Sequence, residues 1–95
     1  MCPSNAGHAH ERIREQVIRR LSRAEGHLRA VSRMWEEGKT CPEVLLQISA
    51  VQAALRRIGR IIVEEHLETC LAEAARQGSY DAALAELREA LRQLL

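Results

Sequence analysis

A histidine and a cysteine, His66 and Cys70, stand four residues apart in the second half of the chain. The run around them has helical periodicity, and on a helix this spacing puts both side chains on one face, one turn apart. An imidazole nitrogen and a thiolate sulfur that point the same way form half of a site for a soft metal ion. A third ligand is needed, and Cys41 is the best candidate. The alternative is structural: an inert buried thiol and a solvated imidazole.

Cys41 lies in the clearest helix start of the sequence, Thr40-Cys41-Pro42-Glu43. Thr40 can cap the helix while Glu43 reaches back, which makes a capping box. Pro42 is tolerated in a first turn, where its missing N–H is no loss. The positive end of the helix dipole favours a thiolate at Cys41, and this favours Cys41 over Cys2 as a ligand.

The helix that starts at Cys41 is also the one that carries His66 and Cys70. At 1.5 Å per residue, Cys41 lies roughly 40 Å from the other two residues along one rod. One subunit cannot bring these three residues to a single ion through this helix. If they share a metal, Cys41 must come from a neighbouring antiparallel subunit.

The apolar pattern predicts an all-α chain of three helices. The first runs from about residue 10 to 37, the second from about 41 to 76, and the third from about 80 to the C-terminus. Each has an apolar stripe with steps of three and four residues. Residues 1–10 are expected to form a flexible tail, and residues 11–95 a single domain. The tail offers further potential ligands at Cys2, His8 and His10.

The composition excludes several classes of protein. Trp35 and Tyr80 are the only aromatic residues, so the core must be aliphatic, which suits helix-on-helix packing. The sequence has neither a membrane-spanning apolar run nor a secretory signal, and we expect a cytoplasmic protein. Three cysteines argue against a closed disulfide framework. Because paired carboxylates, a nucleophile triad and a phosphate loop are absent, we expect no enzyme.

Basic residues are concentrated in the first two-thirds of the chain. Residues 1–60 hold eleven basic side chains against six Glu, a net charge of +5, whereas residues 61–95 hold three Arg against seven acidic residues, a net charge of −4. Arginine forks suit phosphate groups, so these residues could form a phosphate-binding surface once the helices pair, although they could also simply cover solvated helix faces. The candidate contacts are Arg20 and Arg57, followed by Arg19, Arg23, Arg56 and Arg60.

Many short motifs occur together in an order that is typical of one family. They are Arg20-Leu21, Ala24-Glu25-Gly26-His27, Arg33-Met34, Glu36-Glu37-Gly38, Cys41, Val44-Leu45, Gln47-Ile48-Ser49-Ala50-Val51, Ala54-Leu55, His66-Leu67 and Cys70. Over residues 12–71 the chain resembles the CsoR/RcnR family of metal-sensing repressors. The resemblance implies an antiparallel four-helix-bundle dimer, usually paired into a tetramer, whose metal-free form binds operator DNA.

The resemblance also implies a ligand set. Cys41, His66 and Cys70 are similar to the Cys-His-Cys set of the copper(I)-sensing branch, in which the first Cys comes from one subunit and the other two ligands from its partner. Such an S₂N set suits Cu(I). Glu86 fits the position of a residue that supports the ligands in this family. It also lies off the apolar stripe of the third helix and could therefore reach the site of a neighbour. The sequence therefore indicates a copper(I)-responsive repressor.

Two positions depart from the copper-sensing pattern: Thr40 stands where many members have Tyr, and His27 where many have Gln. Two alternatives stay open. A thiol redox or sulfur sensor would use Cys41 and Cys70. A sensor of broader metal range, responding to Zn(II) or Ni(II), would add ligands from the tail, namely His8 and His10.

Overall fold

A computed structural model describes residues 7–78 and 80–94, with side chains from residue 11 onward, and these residues form three α-helices. Helix α1 spans Gly7–Glu36, α2 spans Cys41–Gln77 and α3 spans Asp81–Leu94. The prediction of an all-α chain of three helices is confirmed. Within this described part, none of the helices is long and apolar enough to cross a bilayer.

Helix α1 begins at Gly7, three residues before the expected start near residue 10. Good helix formers follow Gly7, and a glycine in the first turn costs less than one in the helix interior. The helix therefore includes the end of the segment that was predicted to be a tail. Cys2 lies outside the described residues, and so do the side chains of His8 and His10.

The caps of α2 account for both of its ends. Thr40 Oγ1 accepts from the backbone N–H of Glu43, and Glu43 Oε2 accepts from the backbone N–H of Thr40, both at 3.3 Å. Pro42 lies in the first turn, as the sequence predicts. Gly78 ends the helix in a left-handed conformation, with φ of 73°, and its N–H donates to the carbonyl of Ala74. Glycine adopts this conformation without the steric cost of a side chain.

Helix α2 is the central element, and α1 packs on its first half. The buried side chains of α2 in this half are Val44, Val51 and Ile58, which lie seven residues apart on one face. Val31 of α1 packs on the first two, with Met34 beside them. A seven-residue repeat is typical of two helices that pack along their whole length.

Helix α3 packs on the second half of α2. Ala83 of α3 forms a small buried cluster with Cys70 and Ala74 of α2. At the other end of α3, the side chain of Leu94 lies against Gly59 so closely that a Cβ there would overlap with it. Gly59 therefore allows a close approach of α3 to α2.

The molecule is long and thin, with principal extents of 58 × 26 × 14 Å. Its radius of gyration is 17.4 Å, against about 12 Å for a compact domain of this length. Many large apolar side chains remain exposed as a result. They are Ile18, Leu21, Leu28, Trp35, Leu45, Leu46, Ile48, Leu55, Ile62, Leu71, Tyr80, Leu84 and Leu91. A single chain thus buries only one face of its helices and leaves a second apolar face uncovered.

Candidate metal centre and nucleic-acid interface

Three side chains of the types that can bind a metal ion meet where α2 and α3 pack together. His66 Nε2 lies 3.3 Å from Cys70 Sγ and 3.3 Å from Glu86 Oε2. Cys70 Sγ lies 3.5 Å from Glu86 Oε2. All three donor atoms lie within 4.8 Å of one another, so one ion could contact all of them. We refer to His66, Cys70 and Glu86 as the donor cluster.

The two helices hold the donor cluster in different ways. His66 and Cys70 are one turn apart on α2, as their spacing predicts, and Cys70 is 2% exposed. Glu86 comes from α3, which the packing of Ala83 on Ala74 fixes beside α2. The side chains of His66 and Glu86 are about one-quarter exposed, so the cluster opens to the surface on one side.

Glu86 contacts its own chain, where the sequence suggested a neighbouring one. The sequence suggested that it reaches the site of a neighbouring subunit, but in the structure it contacts His66 and Cys70 of its own chain. The reason is the short connection between α2 and α3, which folds α3 back along the second half of α2. The stripe pattern of α3 placed Glu86 off the buried face, but it could not show which copy of α2 lies opposite.

Cys41 lies at the opposite end of α2 from the donor cluster. Its thiol is free and exposed. His66 follows Cys41 by 25 positions along the helix, a rise of roughly 38 Å. The structure therefore brings together His66, Cys70 and Glu86, and it does not bring Cys41 to them within one chain.

Cys41 lines an apolar groove of about 600 Å³ between the end of α1 and the start of α2. The groove is lined by Val31, Ser32, Trp35, Glu36, Cys41, Val44, Leu45 and Ile48. Most of these side chains are apolar, and Trp35 and Leu45 are well exposed. The sequence did not reveal this groove, because an apolar stripe does not show whether another part of the chain covers it.

A hydrogen bond between α1 and α2 sets the register of their hairpin. His27 Nε2 donates to Gln47 Oε1 at 2.7 Å, and both side chains are partly buried. The departure at His27 thus has a structural role, which the sequence did not reveal because the partner lies 20 residues away.

The arginines predicted to bind DNA lie on the two paired helices, away from the donor cluster. Arg20 is partly buried. The others are exposed: Arg19, Arg23, Arg56, Arg57 and Arg60. Gly59, where Leu94 packs, lies among the arginines of α2. The end of α3 that carries Leu94 is therefore adjacent to the arginines of α2. Glu86 of the same helix belongs to the donor cluster.

Comparisons with known proteins agree with this geometry. The copper-sensing transcriptional repressor RicR of Mycobacterium tuberculosis is 39% identical over 92 residues, which cover 95% of this chain and 96% of RicR. The solved structure of the copper-sensing repressor CsoR with Cu(I) from Geobacillus thermodenitrificans has a TM-score of 0.80 and 41% identity, over 98% of this chain and 92% of that one.

A nickel-responsive relative is equally similar in structure. The nickel-responsive transcriptional regulator InrS has a TM-score of 0.80 and 46% identity, over 85% of this chain and 91% of its own. The profile of one protein family, described as metal-sensitive transcriptional repressor, matches residues 13–93. With the helical fold and the donor cluster, these matches show that the chain belongs to the family of metal-sensitive transcriptional repressors.

Proposed function

We propose that this protein is a copper(I)-responsive repressor, which binds operator DNA without metal and releases it when Cu(I) binds. The observation that carries the proposal is the contact of 3.3 Å between His66 and Cys70, with an exposed free thiol at the other end of the same helix. The copper-sensing relatives support it. The site would be completed by Cys41 of a second, antiparallel copy.

The donor set fits Cu(I). Thiolate sulfur and imidazole nitrogen are soft or intermediate ligands, which Cu(I) prefers to oxygen. Two thiolates and one imidazole, from Cys41, Cys70 and His66, make a three-coordinate S₂N set. When bound, the ion supplies a bond between two subunits that the metal-free protein lacks.

Glu86 would orient His66 rather than bind the ion. Its carboxylate lies 3.3 Å from His66 Nε2, and a carboxylate at this nitrogen favours the tautomer with the proton on Nε2. That tautomer leaves the lone pair on Nδ1, so a metal would bind Nδ1 after the ring turns from its present position, in which Nε2 faces Cys70 Sγ. A carboxylate that accepts from the second ring nitrogen of a ligand histidine is a common support in metal sites.

Helix α3 offers a route from the metal site to the DNA-binding surface. Glu86 of α3 belongs to the donor cluster, and Leu94 of the same helix packs on Gly59 beside Arg57. A shift of α3 on metal binding would therefore move side chains next to the basic surface. Metal can release DNA only if it binds the DNA-incompetent arrangement more tightly.

The remaining features of the proposal follow from this function. Residues 11–95 would act as one domain that both senses metal and binds DNA, in a dimer or a dimer of dimers. The uncovered apolar face of α1 and α2 supports assembly. The protein would act in the cytoplasm, where operator DNA is present and thiols stay reduced.

A sensor of wider metal range is the second candidate. Glu86 adds an oxygen donor to the cluster, and Zn(II) or Ni(II) accepts oxygen ligands more readily than Cu(I) does. The similarity to InrS supports this candidate. It would recruit His8 or His10 as additional ligands.

The test is an anaerobic titration of the reduced protein with Cu(I), Zn(II) or Ni(II), while fluorescence anisotropy follows the release of operator DNA. We expect release at one Cu(I) per subunit, and no release from Cys41→Ala or His66→Ala. Release by Zn(II) or Ni(II) that is lost in His8→Ala or His10→Ala would favour the wider metal range. If no metal releases the DNA, the metal-sensing proposal is wrong, and oxidation of Cys41 and Cys70 becomes the explanation to test.

A further inference from the structure

Trp35 is the only tryptophan of the chain, and it lines the same groove as Cys41, a proposed metal ligand. Its side chain is 65% exposed at the end of α1, although tryptophan is the largest apolar side chain. Trp35 and Cys41 line the same groove. An exposed indole and an exposed thiol that line one groove indicate that this groove contacts a second molecule.

A second copy of this chain is the occupant that the groove best fits. The copper proposal already requires the stretch His66–Cys70 of another copy to reach Cys41, which lies in the groove. The groove itself is mostly apolar, and α2 of each copy carries exposed apolar side chains such as Leu71 close to this stretch. Burying these two surfaces against each other would cover apolar area that a single chain leaves in water.

We propose that Trp35 closes the intersubunit metal site, covering the Cys41 side of the site from water and thereby favouring Cu(I) over Zn(II) and Ni(II). This inference rests on the proposed function, because it takes the site to be formed by Cys41 of one copy with His66 and Cys70 of another. Trp35 is a positioning residue in this account and not a ligand.

The preference follows from the number of ligands that each ion needs. Zn(II) in proteins is almost always four-coordinate, and where the protein supplies three ligands a water molecule takes the fourth position. An indole at the open side of a three-ligand site offers no donor lone pair and leaves less room for water. The apolar surroundings of a metal site control the access of solvent in this way.

The first experiment uses Trp35 as its own reporter, because no other tryptophan contributes to the emission. We expect the quenching of Trp35 by acrylamide to decrease as Cu(I) is added, with an endpoint at one Cu(I) per subunit. The decrease should be absent in Cys41→Ser. The control is Trp35→Leu/Leu28→Trp, which moves the reporter two turns along α1 to an exposed position outside the groove, where Cu(I) should leave quenching unchanged.

The second experiment measures selectivity. We expect Trp35→Leu to keep one Cu(I) per subunit but to lower the ratio of Cu(I) to Zn(II) affinity by about tenfold, in competition with chelators. Trp35→Phe, which keeps an aromatic ring, should retain most of the ratio. Circular dichroism would establish that the helices are intact in each variant.

The outcomes separate this inference from the proposed function. If Cu(I) releases DNA while Trp35 stays equally accessible to acrylamide, or while Trp35→Leu keeps the wild-type ratio, then Trp35 is only part of an apolar contact and the inference is wrong. If Trp35 becomes protected at one Cu(I) per subunit but the DNA is not released, the metal site is supported and the repressor function is wrong.

Discussion

Glu86 Oε2 lies 3.3 Å from His66 Nε2, and this contact joins α3 to α2 within the donor cluster. The same carboxylate oxygen lies 3.5 Å from Cys70 Sγ. Glu86 therefore contacts both proposed ligands of α2. It belongs to α3, whose other end packs beside the arginines of α2. Any change at Glu86 should affect metal binding and its effect on DNA together.

Replacing Glu86 by Gln should weaken metal binding without unfolding the chain. The amide keeps the shape of the side chain but removes the charge that orients His66, and losses of this kind typically lower metal affinity by about 10–100-fold. Competition with a Cu(I) chelator measures the affinity. Glu89→Gln on the same helix is the matched control, because Glu89 is exposed and its partners, Arg92 and Gln93, lie on α3 away from the donor cluster. Equal affinities of the two variants would contradict the assigned role of Glu86.

Arg20→Ala and Arg57→Ala should weaken the binding of operator DNA. Each phosphate contact that is lost should lower the slope of log affinity against log salt by about 0.9. Arg76→Ala is the control, because Arg76 lies in the acidic half of the chain and pairs with Glu73. Anisotropy titrations at several salt concentrations give the slopes. An unchanged slope for both Arg20→Ala and Arg57→Ala would place the DNA-binding surface elsewhere.

The sequence predicted much of this fold because its signals are local. The capping box of Thr40 and Glu43 needs only four residues, and the spacing of His66 and Cys70 needs one helical turn. Both are present in the structure as predicted. Glu86 was predicted from the family resemblance, but the copy of α2 that it contacts was not, because that depends on how α3 folds back.

Two glycines within helices should respond differently to a methyl group. At Gly26 no heavy atom of the described residues lies within 4 Å of an added Cβ, so Gly26→Ala should stabilise the chain by about 0.5–1 kcal/mol. At Gly59 the side chain of Leu94 must move, so Gly59→Ala should gain less and should speed amide exchange in the last turn of α3. Urea unfolding and hydrogen exchange measure these effects.

The two glycine variants also test which surfaces of the chain are in contact with other helices. Among the described residues, no backbone of another helix lies within 4 Å of a Cβ added at Gly26. If Gly26→Ala destabilises the protein or changes its oligomeric state, a second copy packs at Gly26. If Gly59→Ala leaves α3 exchange unchanged, the contact with Leu94 does not hold α3 in place.

Thr40→Ala should destabilise the start of α2 by about 1 kcal/mol, because the backbone N–H of Glu43 loses its acceptor. The first turn carries Cys41, so metal affinity should fall as well. Ser49→Ala, at an exposed position within α2, is the matched control and should be nearly neutral. Thermal unfolding with and without Cu(I) measures both effects. A Thr40→Ala protein as stable as Ser49→Ala would show that the capping box contributes little.

The parts that the sequence could not predict depend on long-range packing. His27 bonds to Gln47 across the hairpin, and no local pattern points from one to the other. Trp35 follows the apolar stripe of α1, yet it is exposed, because one chain has only enough helices to cover one face of α1 and α2. Periodicity shows that a residue lies on the apolar face of its helix. It does not show whether the same chain or another copy covers that face.

The most direct test of the account is to combine subunits that lack different ligands. Cys41→Ala and His66→Ala chains, each with its own affinity tag, would be co-expressed and purified through both tags. A mixed dimer has one site that lacks both residues and one complete site, formed by Cys41 of the His66→Ala chain with His66 and Cys70 of the other. The account predicts that neither variant alone binds Cu(I) tightly and that the mixed dimer binds one Cu(I) with wild-type affinity. A mixed dimer that binds Cu(I) no better than the single variants would contradict a site shared between two copies.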